Sequence, residues 1–230
     1  MAKYSAQHRV LIAVDCIIFG FDGAELKLLV VQRALEPQIG NWSLMGGFIE
    51  EGEDPNDAAS RVLYKLTGLK DVYMEQLSVF GRPNRDPVER TISVAYSALI
   101  NIKEYETQLS DAYRAEWIPL KDVPALIFDH DEMVAAAKVH LRYKAALHPV
   151  LFELLPEKFT IPQIMALYEQ VYNVELDKRN FMRKLRSTGL LVKQADKDKE
   201  GSRKGAFYYK LDQETYKDKF SSFLHFIPQP

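Results

Sequence analysis

Two apolar runs near the start of the chain predict a β-hairpin. Residues 10–19 and 26–32 are rich in Val, Ile and Leu, and the Asp22-Gly23 pair between them favours a tight turn. Further apolar runs predict three more strands, at residues 73–80, 90–100 and 117–120. The first part of the chain is therefore expected to contain a sheet.

The pattern between the predicted strands at 26–32 and 73–80 indicates one helix with defined ends. Asp54 is a suitable N-cap, Pro55 suits the first helical position, and Gly68 provides a left-handed stop. Apolar residues recur at helical spacing and predict one buried face: Ala58, Ala59, Val62, Leu63 and Leu66. The local order is strand, Gly-Gly loop, capped helix and strand.

The pattern after residue 130 is mainly helical. A long helix is predicted at 131–147, and Thr160 with Gln163 forms a capping box that opens an amphipathic helix. Asp177 is an N-cap for a second helix that stops at Gly189, and residues 190–194 and 206–210 read as two strands. Helix, turn, helix and hairpin is the layout of a winged helix-turn-helix.

Composition places the chain among ordinary globular proteins. It has 230 residues, 47% of them hydrophobic and 27% charged, and 11 Gly, 11 Pro and one Cys exclude collagen-like, disordered and disulfide-scaffold proteins. Cys16 lies in an apolar run, which predicts a buried side chain. The sequence lacks an apolar run of the ~20 residues needed to span a bilayer, and residues 1–10 are too polar for a signal peptide. A cytoplasmic protein without membrane contact is expected.

The formal net charge of -2 conceals a strong asymmetry along the chain. Residues 1–140 carry 14 basic and 21 acidic side chains, whereas residues 141–230 carry 16 and 11. Between residues 177 and 210 there are 11 basic and 4 acidic side chains. Such a surplus is typical of a solvated face, and it indicates contact with phosphates where a DNA-binding motif supports it, as the winged layout does here. We therefore predict two domains, at 1–145 and 146–230, of which the second binds nucleic acid.

Residues 47–69 resemble the signature of the Nudix family. That signature is Gly, five residues, Glu, seven residues, and Arg-Glu-apolar-any-Glu-Glu-any-Gly-apolar. The positions that match its frame without a gap are Gly47, Glu53, Arg61, Leu63, Gly68 and Leu69. The resemblance implies an α/β fold class: an N-terminal Nudix α/β/α sandwich with a mixed sheet, followed by the winged helix.

The catalytic positions of the signature depart from the family. Active members have three glutamates where this chain has Val62, Lys65 and Leu66. Such glutamates lie on one helical face and bind a divalent cation, but an ammonium about 5 Å from that cation costs on the order of 6 kcal/mol at a dielectric of about 20. We therefore predict no metal, no cofactor and no enzyme activity. The alternative is a hydrolase of ADP-ribose-like compounds with a displaced metal site, built from Glu53 and nearby loop carboxylates.

The resemblance also implies a ligand pocket in the Nudix domain. The residues predicted to bind a small-molecule effector are Arg33, Trp42, Arg85, Asp86, Asp129 and His130. A structural alternative stays open for each pair. Asp129 and His130 are also suited to be an N-cap with an adjacent surface imidazole, and Arg85 and Asp86 to be an ion pair within one loop.

The second helix of the winged motif has the residues of a recognition helix. Arg and Asn side chains in its first half are suited to base edges, and its other cations to phosphates. The predicted DNA-binding residues are Lys178, Arg179, Asn180, Arg183, Lys184 and Arg186 on the helix, and Arg203 and Lys204 in the wing. The alternative is a solvated helical subdomain used for dimerisation.

The two halves in this order resemble the Nudix-related transcriptional regulators of bacteria. That resemblance implies a homodimer that binds double-stranded, pseudo-palindromic operator DNA and responds to a metabolite. Residues 42–48, 72–76 and 126–130 look most like the L-arabinose-responsive members of Bacteroidetes. We therefore expect a pentose such as L-arabinose, and the alternative is an ADP-ribose-responsive regulator of NAD metabolism.

Overall fold

A computed structural model describes residues 8–105, 114–199 and 205–222. Seven strands form the first sheet: β1 (Leu11–Phe21), β2 (Leu26–Gln32), β3 (Trp42–Ser43), β4 (Met45–Phe48), β5 (Glu75–Phe80), β6 (Thr91–Asn101) and β7 (Ala115–Pro119). The strand order is β3-β2-β1-β6-β5, with β4 also paired to β1 and β7 to β2. The two predicted strand pairs and the later strand are confirmed.

The predicted turn between β1 and β2 is formed by Asp22 and Gly23. The carboxylate Oδ1 of Asp22 accepts hydrogen bonds from the backbone N–H groups of Ala24 and Glu25, both at 2.8 Å. Gly23 has a φ of 101°, a conformation that glycine adopts without steric cost. The Asp-Gly pair therefore sets the position of this turn, as the sequence predicts.

The helix α1 (Pro55–Thr67) has the predicted ends. The side chain of Asp54 accepts from the backbone N–H groups of Asn56 and Asp57, and Gly68 is left-handed with a φ of 82°. Ala58, Ala59, Val62 and Leu63 are buried, whereas Leu66 is only half-buried. One face of α1 therefore packs into the protein, mainly against β4.

Most of the side chains buried on β1 and β2 are apolar. The largest fully buried side chains on β1 and β2 are Ile17, Ile18, Phe19, Phe21, Leu28 and Leu29. Cys16 is buried as predicted, and burial raises the pKa of its thiol. This thiol is therefore a packed side chain, in agreement with its apolar sequence context.

Five further α-helices and a second sheet complete the described chain. The helices that follow β6 are α2 (Ile102–Tyr105), α3 (His130–Leu147), α4 (Ile161–Tyr172), α5 (Lys178–Ser187) and α6 (Gln213–Ser222), with a 3-10 helix at Val150–Leu154. The second sheet consists of β8 (Phe159–Thr160), β9 (Leu191–Asp198) and β10 (Ala206–Leu211), in the order β8-β10-β9. The helix, helix and hairpin layout of a winged helix is confirmed.

The predicted caps of the two winged-helix helices are present. Thr160 and Gln163 form the capping box at the start of α4, with the N–H of Thr160 donating to Gln163 at 2.7 Å. The carboxylate of Asp177 accepts from the N–H of Asn180 at 2.8 Å and so begins α5. The rings of Tyr168 on α4 and Phe181 on α5 meet edge to face at 5.5 Å, which packs the two helices together.

Contacts divide the chain into two compact units whose limits differ from the predicted domain limits. The first unit consists of residues 8–19, 28–99, 105 and 114–137 among those described, and the second of 20–27, 100–104 and the described residues from 138 on. The turn after β1 belongs to the second unit because Gln170 of α4 bonds to it. Its side chain accepts from the N–H of Leu26 at 2.8 Å and donates to the carbonyl of Ala24 at 2.9 Å. The boundary at 145 stays a prediction.

In residues 8–105, 114–199 and 205–222, no helix combines the length and the apolar character that crossing a bilayer requires.

Candidate functional site

The first unit contains a cavity of about 470 Å³. Its wall is formed by the end of β2 and the loop after it, by the Gly-Gly segment around β4, and by α1. The residues from these three segments are Val31, Gln32, Arg33, Ala34 and Leu35, then Ser43, Leu44, Gly46, Gly47, Phe48 and Glu50, then Arg61, Val62, Lys65 and Leu66. A cavity of this size is large enough for a small-molecule ligand.

The three altered signature positions lie in the wall of this cavity. Val62 and Leu66 present aliphatic side chains, and Lys65 presents an ammonium group. Neither an aliphatic side chain nor an ammonium has a lone pair for a metal ion. The residues present therefore do not fit the divalent cation that the Nudix family implies. Among the described residues, there is no group of three or more His, Cys, Asp or Glu placed to hold a metal ion.

Close packing explains the two glycines of the wall. A Cβ atom on Gly47 would lie 2.8 Å from Cγ2 of Val62, and one on Gly46 would lie 2.3 Å from Oδ1 of Asp15. Both distances are shorter than carbon atoms tolerate without a shift of the neighbour. The Gly-Gly pair thus lets β4 approach α1 on one side and the buried Asp15 on the other.

The two signature residues Glu53 and Arg61 bind each other. Nη2 of Arg61 donates to Oε2 of Glu53 at 2.7 Å, Nε donates to Oε1, and Nη2 also donates to the carbonyl of Phe48 at 2.9 Å. This pairing lowers the pKa of Glu53 to about 2. Nη1 of Arg61 lies 3.3 Å from Glu50. These charges hold the loop before α1 against the helix, and the motif's remaining carboxylate is engaged by Arg61.

A buried polar network lies directly behind the cavity wall. The guanidinium of Arg85 forms two parallel hydrogen bonds with Asp129, at 2.7 Å and 2.9 Å, and reaches Asp15 at 3.4 Å. Ser93 donates to the same carboxylate of Asp15 at 2.6 Å. Nε2 of His130 lies 3.5 Å from Asp15. These groups are satisfied by each other, as buried polar groups must be.

His130 joins this network to the wall itself. Its Nδ1 accepts a hydrogen bond from the backbone N–H of Leu44 at 3.1 Å, and Leu44 lines the cavity. An imidazole that accepts at Nδ1 carries its proton on Nε2, which faces Asp15. Burial lowers the pKa of His130, because the charged form loses its hydration. The neutral ring is therefore the form that the wall requires.

The structure places the six predicted effector residues in different surroundings relative to the cavity. Arg33 lines the cavity, and its guanidinium donates to the carbonyls of Leu35 and Pro37 at 2.9 Å and 2.7 Å. Trp42 is next to the lining residue Ser43, and its carbonyl accepts from the N–H of Ile127 at 3.0 Å. The other four residues lie outside the described lining: Arg85, Asp86, Asp129 and His130. An effector-binding role for the six residues stays a prediction.

The two structural alternatives for these residues are both wrong in detail. The carboxylate of Asp129 binds Arg85 instead of capping α3, and His130 is buried instead of lying at the surface. Arg85 pairs with Asp129 instead of Asp86. Asp86 accepts from the N–H of Val88 at 2.9 Å and so shapes its own turn.

The helix α5 carries the predicted DNA-binding side chains on its outer surface. Leu185 is its buried residue, and the six predicted residues are all exposed: Lys178, Arg179, Asn180, Arg183, Lys184 and Arg186. Nη2 of Arg183 donates to Oδ1 of Asn180 at 3.2 Å, which orders two of them on one face. The surface is cationic and accessible, as contact with phosphates requires. Contact of each residue with DNA stays a prediction.

The β9–β10 hairpin carries further exposed cations. The ammonium groups of Lys193 and Lys197 lie 3.6 Å and 4.3 Å from the ring centroid of Phe207, so the ring holds both cations on one side of the hairpin. The predicted wing residues Arg203 and Lys204 lie outside the described residues. Lys193 was not among the predicted residues, because it lies within a strand and not in the basic loop.

Two residues of the buried network were also absent from the prediction. Asp15 and Ser93 lie inside apolar strands, where a single polar residue gives no distinct signal in one sequence. Asp15 lies 70 residues before Arg85 and 78 before Ser93 in the sequence, so only the folded sheet brings it to them. A lone charged residue inside a strongly apolar strand is the one available sign, since burial demands a partner for it.

Family models match both parts of the chain. Residues 10–137 match the NUDIX domain, and residues 151–211 match the NrtR DNA-binding winged helix domain. Over 220 residues the chain is 31% identical to the "ADPR responsive transcriptional repressor NtrR" of Acinetobacter baylyi. The matched region covers 94% of this chain and 88% of that relative. The family of the whole chain is thus shown by its sequence.

Two solved structures show the same similarity in three dimensions. The crystal structure of Shewanella oneidensis NrtR complexed with a 27mer DNA has a TM-score of 0.75 at 30% identity, over 90% of this chain and 95% of that one. The NUDIX domain of that protein, in a cocrystal structure with ADP ribose, has a TM-score of 0.55 at 33% identity, over 61% of this chain and 94% of that one.

These similarities correct one expectation. The chain was expected to be most like the arabinose-responsive regulators, with a pentose as effector. The relative that matches over nearly the whole chain is instead named as ADPR responsive, and the NUDIX domain of Shewanella oneidensis NrtR was crystallised with ADP ribose. The three short segments that suggested arabinose were too few to identify an effector. The chain belongs to the NrtR family of transcriptional regulators, which join a Nudix domain to a DNA-binding winged helix.

Proposed function

We propose that this protein is an ADP-ribose-responsive transcriptional regulator whose Nudix domain senses its ligand without hydrolysing it. Its winged helix binds operator DNA, and the protein acts as a homodimer on a pseudo-palindromic site. The observation that carries this proposal is the cavity of about 470 Å³ whose wall contains Val62, Lys65 and Leu66. The cavity of a Nudix domain is present, but the side chains that would bind a catalytic metal ion are replaced.

The choice of ADP-ribose is supported by the relatives. One relative of similar length is named as ADPR responsive, and the Nudix domain of another was crystallised with ADP ribose. The cavity wall agrees with an anionic ligand, because Arg33, Arg61 and Lys65 all lie in it. A pentose has no charge for these groups to bind.

The DNA-binding part of the proposal depends on α5 and on the β9–β10 hairpin that follows it in the sequence. Six exposed residues of α5 are cationic or amide-bearing, and Lys193 and Lys197 add positive charge on the hairpin. A relative with the same two domains was crystallised with a 27mer DNA. Such a surface gives an affinity for DNA that falls steeply with salt.

Control of DNA binding by the effector follows from thermodynamic linkage between the two binding events. A ligand that releases the protein from DNA must bind more tightly to the free form than to the DNA-bound form. A coupling free energy of about 3 kcal/mol would change operator affinity roughly 150-fold. The response to ADP-ribose is thus measurable as a shift in the Kd for DNA at constant salt.

The proposal is tested with the full chain and a duplex selected from a random pool. We expect ADP-ribose to weaken binding to the selected duplex at fixed salt, measured by fluorescence anisotropy, and L-arabinose to have no effect. The selected sequences are expected to contain two inverted half-sites. Release by L-arabinose but not by ADP-ribose would contradict the proposed effector.

The alternative of a hydrolase with a displaced metal site is tested separately. We expect no release of AMP or ribose 5-phosphate when the protein is incubated with ADP-ribose and Mg²⁺ or Mn²⁺. Glu53, which such a site would need, is already bound to Arg61. Sustained turnover by the purified protein, abolished in Glu53→Gln, would establish the hydrolase instead.

A further inference from the structure

The proposed effector requires positive charge in the cavity. A diphosphate carries at least two negative charges, and a Nudix active site meets such a ligand with a divalent cation. Here Val62 and Leu66 offer no ligand atoms to a cation, and Lys65 adds a charge that repels one. Positive charge for the diphosphate must therefore come from the protein itself.

Three cationic side chains line the cavity, and two of them are already engaged. Arg61 is bound by Glu53, by Glu50 and by the carbonyl of Phe48. Its charge is thus largely compensated inside the protein. Each further bond to a phosphate would have to replace one of these.

Arg33 is engaged as well, although by neutral groups. Its Nε donates to the carbonyls of Leu35 and Pro37, and its Nη2 lies 3.4 Å from the carbonyl of Glu36. Its guanidinium also lies 5.3 Å from the ring centroid of Phe128. These contacts fix the loop after β2, so the guanidinium shapes the wall in its present position.

Lys65 is different from both arginines. It is exposed on α1 and lines the cavity, and within the part of the chain that the structure describes its ammonium has no hydrogen-bond or ion-pair partner. It stands at a position where an active Nudix enzyme has a metal-binding glutamate. Its three N–H donors and its flexible stem suit phosphate oxygens.

We propose that Lys65 takes the place of the divalent cation and binds the diphosphate of the effector, so that binding does not need a metal ion. This inference rests on the proposed function, because it specifies how the same cavity holds ADP-ribose. Under this proposal, the presence of Lys65 instead of a glutamate has two effects on the cavity. The glutamate-to-lysine replacement removes a metal ligand and supplies the charge that the metal would have provided.

The test is calorimetric titration of the full chain with ADP-ribose, in EDTA and in excess Mg²⁺. The wild-type Kd is expected to agree within about twofold between the two buffers. Lys65→Met is expected to weaken binding about tenfold or more, as the loss of a charge-assisted hydrogen bond requires. Lys65→Arg, which keeps the charge, should retain most of the affinity.

Lys70→Met is the matched control. Lys70 follows the end of α1, and its ammonium lies 4.7 Å from the ring centroid of Tyr64, outside the cavity lining. The Lys70→Met substitution removes one positive charge near α1, as Lys65→Met does, but from outside the cavity. We therefore expect the Kd for ADP-ribose to stay unchanged in Lys70→Met. An equal loss in both variants would show a general effect of net charge and would contradict the inference.

The outcomes separate the two proposals. Wild-type binding that disappears in EDTA, or Lys65→Met with the wild-type Kd, would overturn the role of Lys65 and leave ADP-ribose as the effector. A wild-type protein that binds ADP-ribose in neither buffer would overturn the proposed effector itself. Thermal unfolding of each variant without ligand shows whether it is folded, and unfolding close to that of the wild type is expected because Lys65 is exposed.

Discussion

The guanidinium of Arg85 is held by the carboxylate of Asp129 through two parallel hydrogen bonds in the interior of the Nudix domain. The bonds measure 2.7 Å and 2.9 Å, and both side chains are at least 90% buried. This fork-to-fork geometry is the strongest that an Arg and a carboxylate form. It ties the loop before β6 to the start of α3, next to the His130 that binds the cavity wall.

Replacement of Arg85 by Met is expected to be strongly destabilising. Asp129 and Asp15 would stay buried without their cation, which costs about 3–5 kcal/mol. Chemical denaturation at neutral pH measures the loss in the free energy of unfolding. The loss of stability arises from the buried carboxylates that are left unpaired. It should therefore be smaller in the double variant that combines Arg85→Met with Asp129→Asn.

Arg82→Met is the matched control for this experiment. Arg82 is in the same loop and pairs with Glu132 of α3 at 2.7 Å, but the two side chains are 67% and 49% exposed. An exposed pair contributes less than about 1 kcal/mol. Equal losses in Arg82→Met and Arg85→Met would show that burial does not determine the energy of these pairs.

Gly46 should tolerate no side chain. In Gly46→Ala the new Cβ would lie 2.3 Å from Oδ1 of Asp15, whose carboxylate is held by Ser93 and Arg85. Overpacking of this kind costs about 1–3 kcal/mol. Gly81→Ala is the control, because its Cβ would meet Ile92 at an ordinary 3.6 Å. Wild-type stability for Gly46→Ala would contradict this packing.

The sequence predicts the elements of this fold well where the local signals agree. Asp54, Pro55 and Gly68 define α1 to the residue, and Thr160 with Gln163 defines the start of α4. These signals are local, because a capping side chain bonds to backbone only two or three residues away. The short strands β3, β4 and β8 were not predicted, since two to four residues show no clear period.

The site was predicted less completely because its contacts join distant segments. Arg85, Asp129 and His130 are predicted to bind the effector, and the structure places them in a buried network with Asp15 and Ser93 behind the cavity wall. One sequence carries no signal for such a pairing. By contrast, Val62, Lys65 and Leu66 were located correctly from the spacing of the motif, because α1 presents that face to the cavity.

His130 gives the protein a predictable response to acid. Its pKa is lowered in the folded state by burial, from an ordinary value of 6.5, so the unfolded state binds the proton more readily. Its contribution to stability is therefore fully present above pH 6.5 and is lost as the pH falls through the folded-state pKa. Protonation would also break the hydrogen bond from Leu44 to Nδ1.

His130→Asn tests this response, since the amide oxygen keeps an acceptor near Leu44 but does not titrate. The melting temperature of the wild type is expected to fall more steeply between pH 6.5 and 5 than that of the variant. His140→Asn, on the same helix, should keep the wild-type slope. Identical slopes for the wild type and His130→Asn would remove His130 as the source of the acid sensitivity.

Arg183 is the residue of α5 whose loss should change DNA binding most clearly. It is exposed, and its hydrogen bond to Asn180 places both side chains together on the surface of the helix. If Arg183 neutralises one phosphate, Arg183→Ala lowers the slope of log K against log salt concentration by about one. If it binds a base edge instead, the loss is about 1–3 kcal/mol and depends on the sequence. Anisotropy titrations with a selected and a scrambled duplex at several salt concentrations separate the two effects.

Lys158→Met is the control, because Lys158 is already paired with Asp196 at 2.8 Å and is not part of α5. Wild-type affinity, salt slope and sequence preference in Arg183→Ala would contradict the assignment of α5 as the recognition helix.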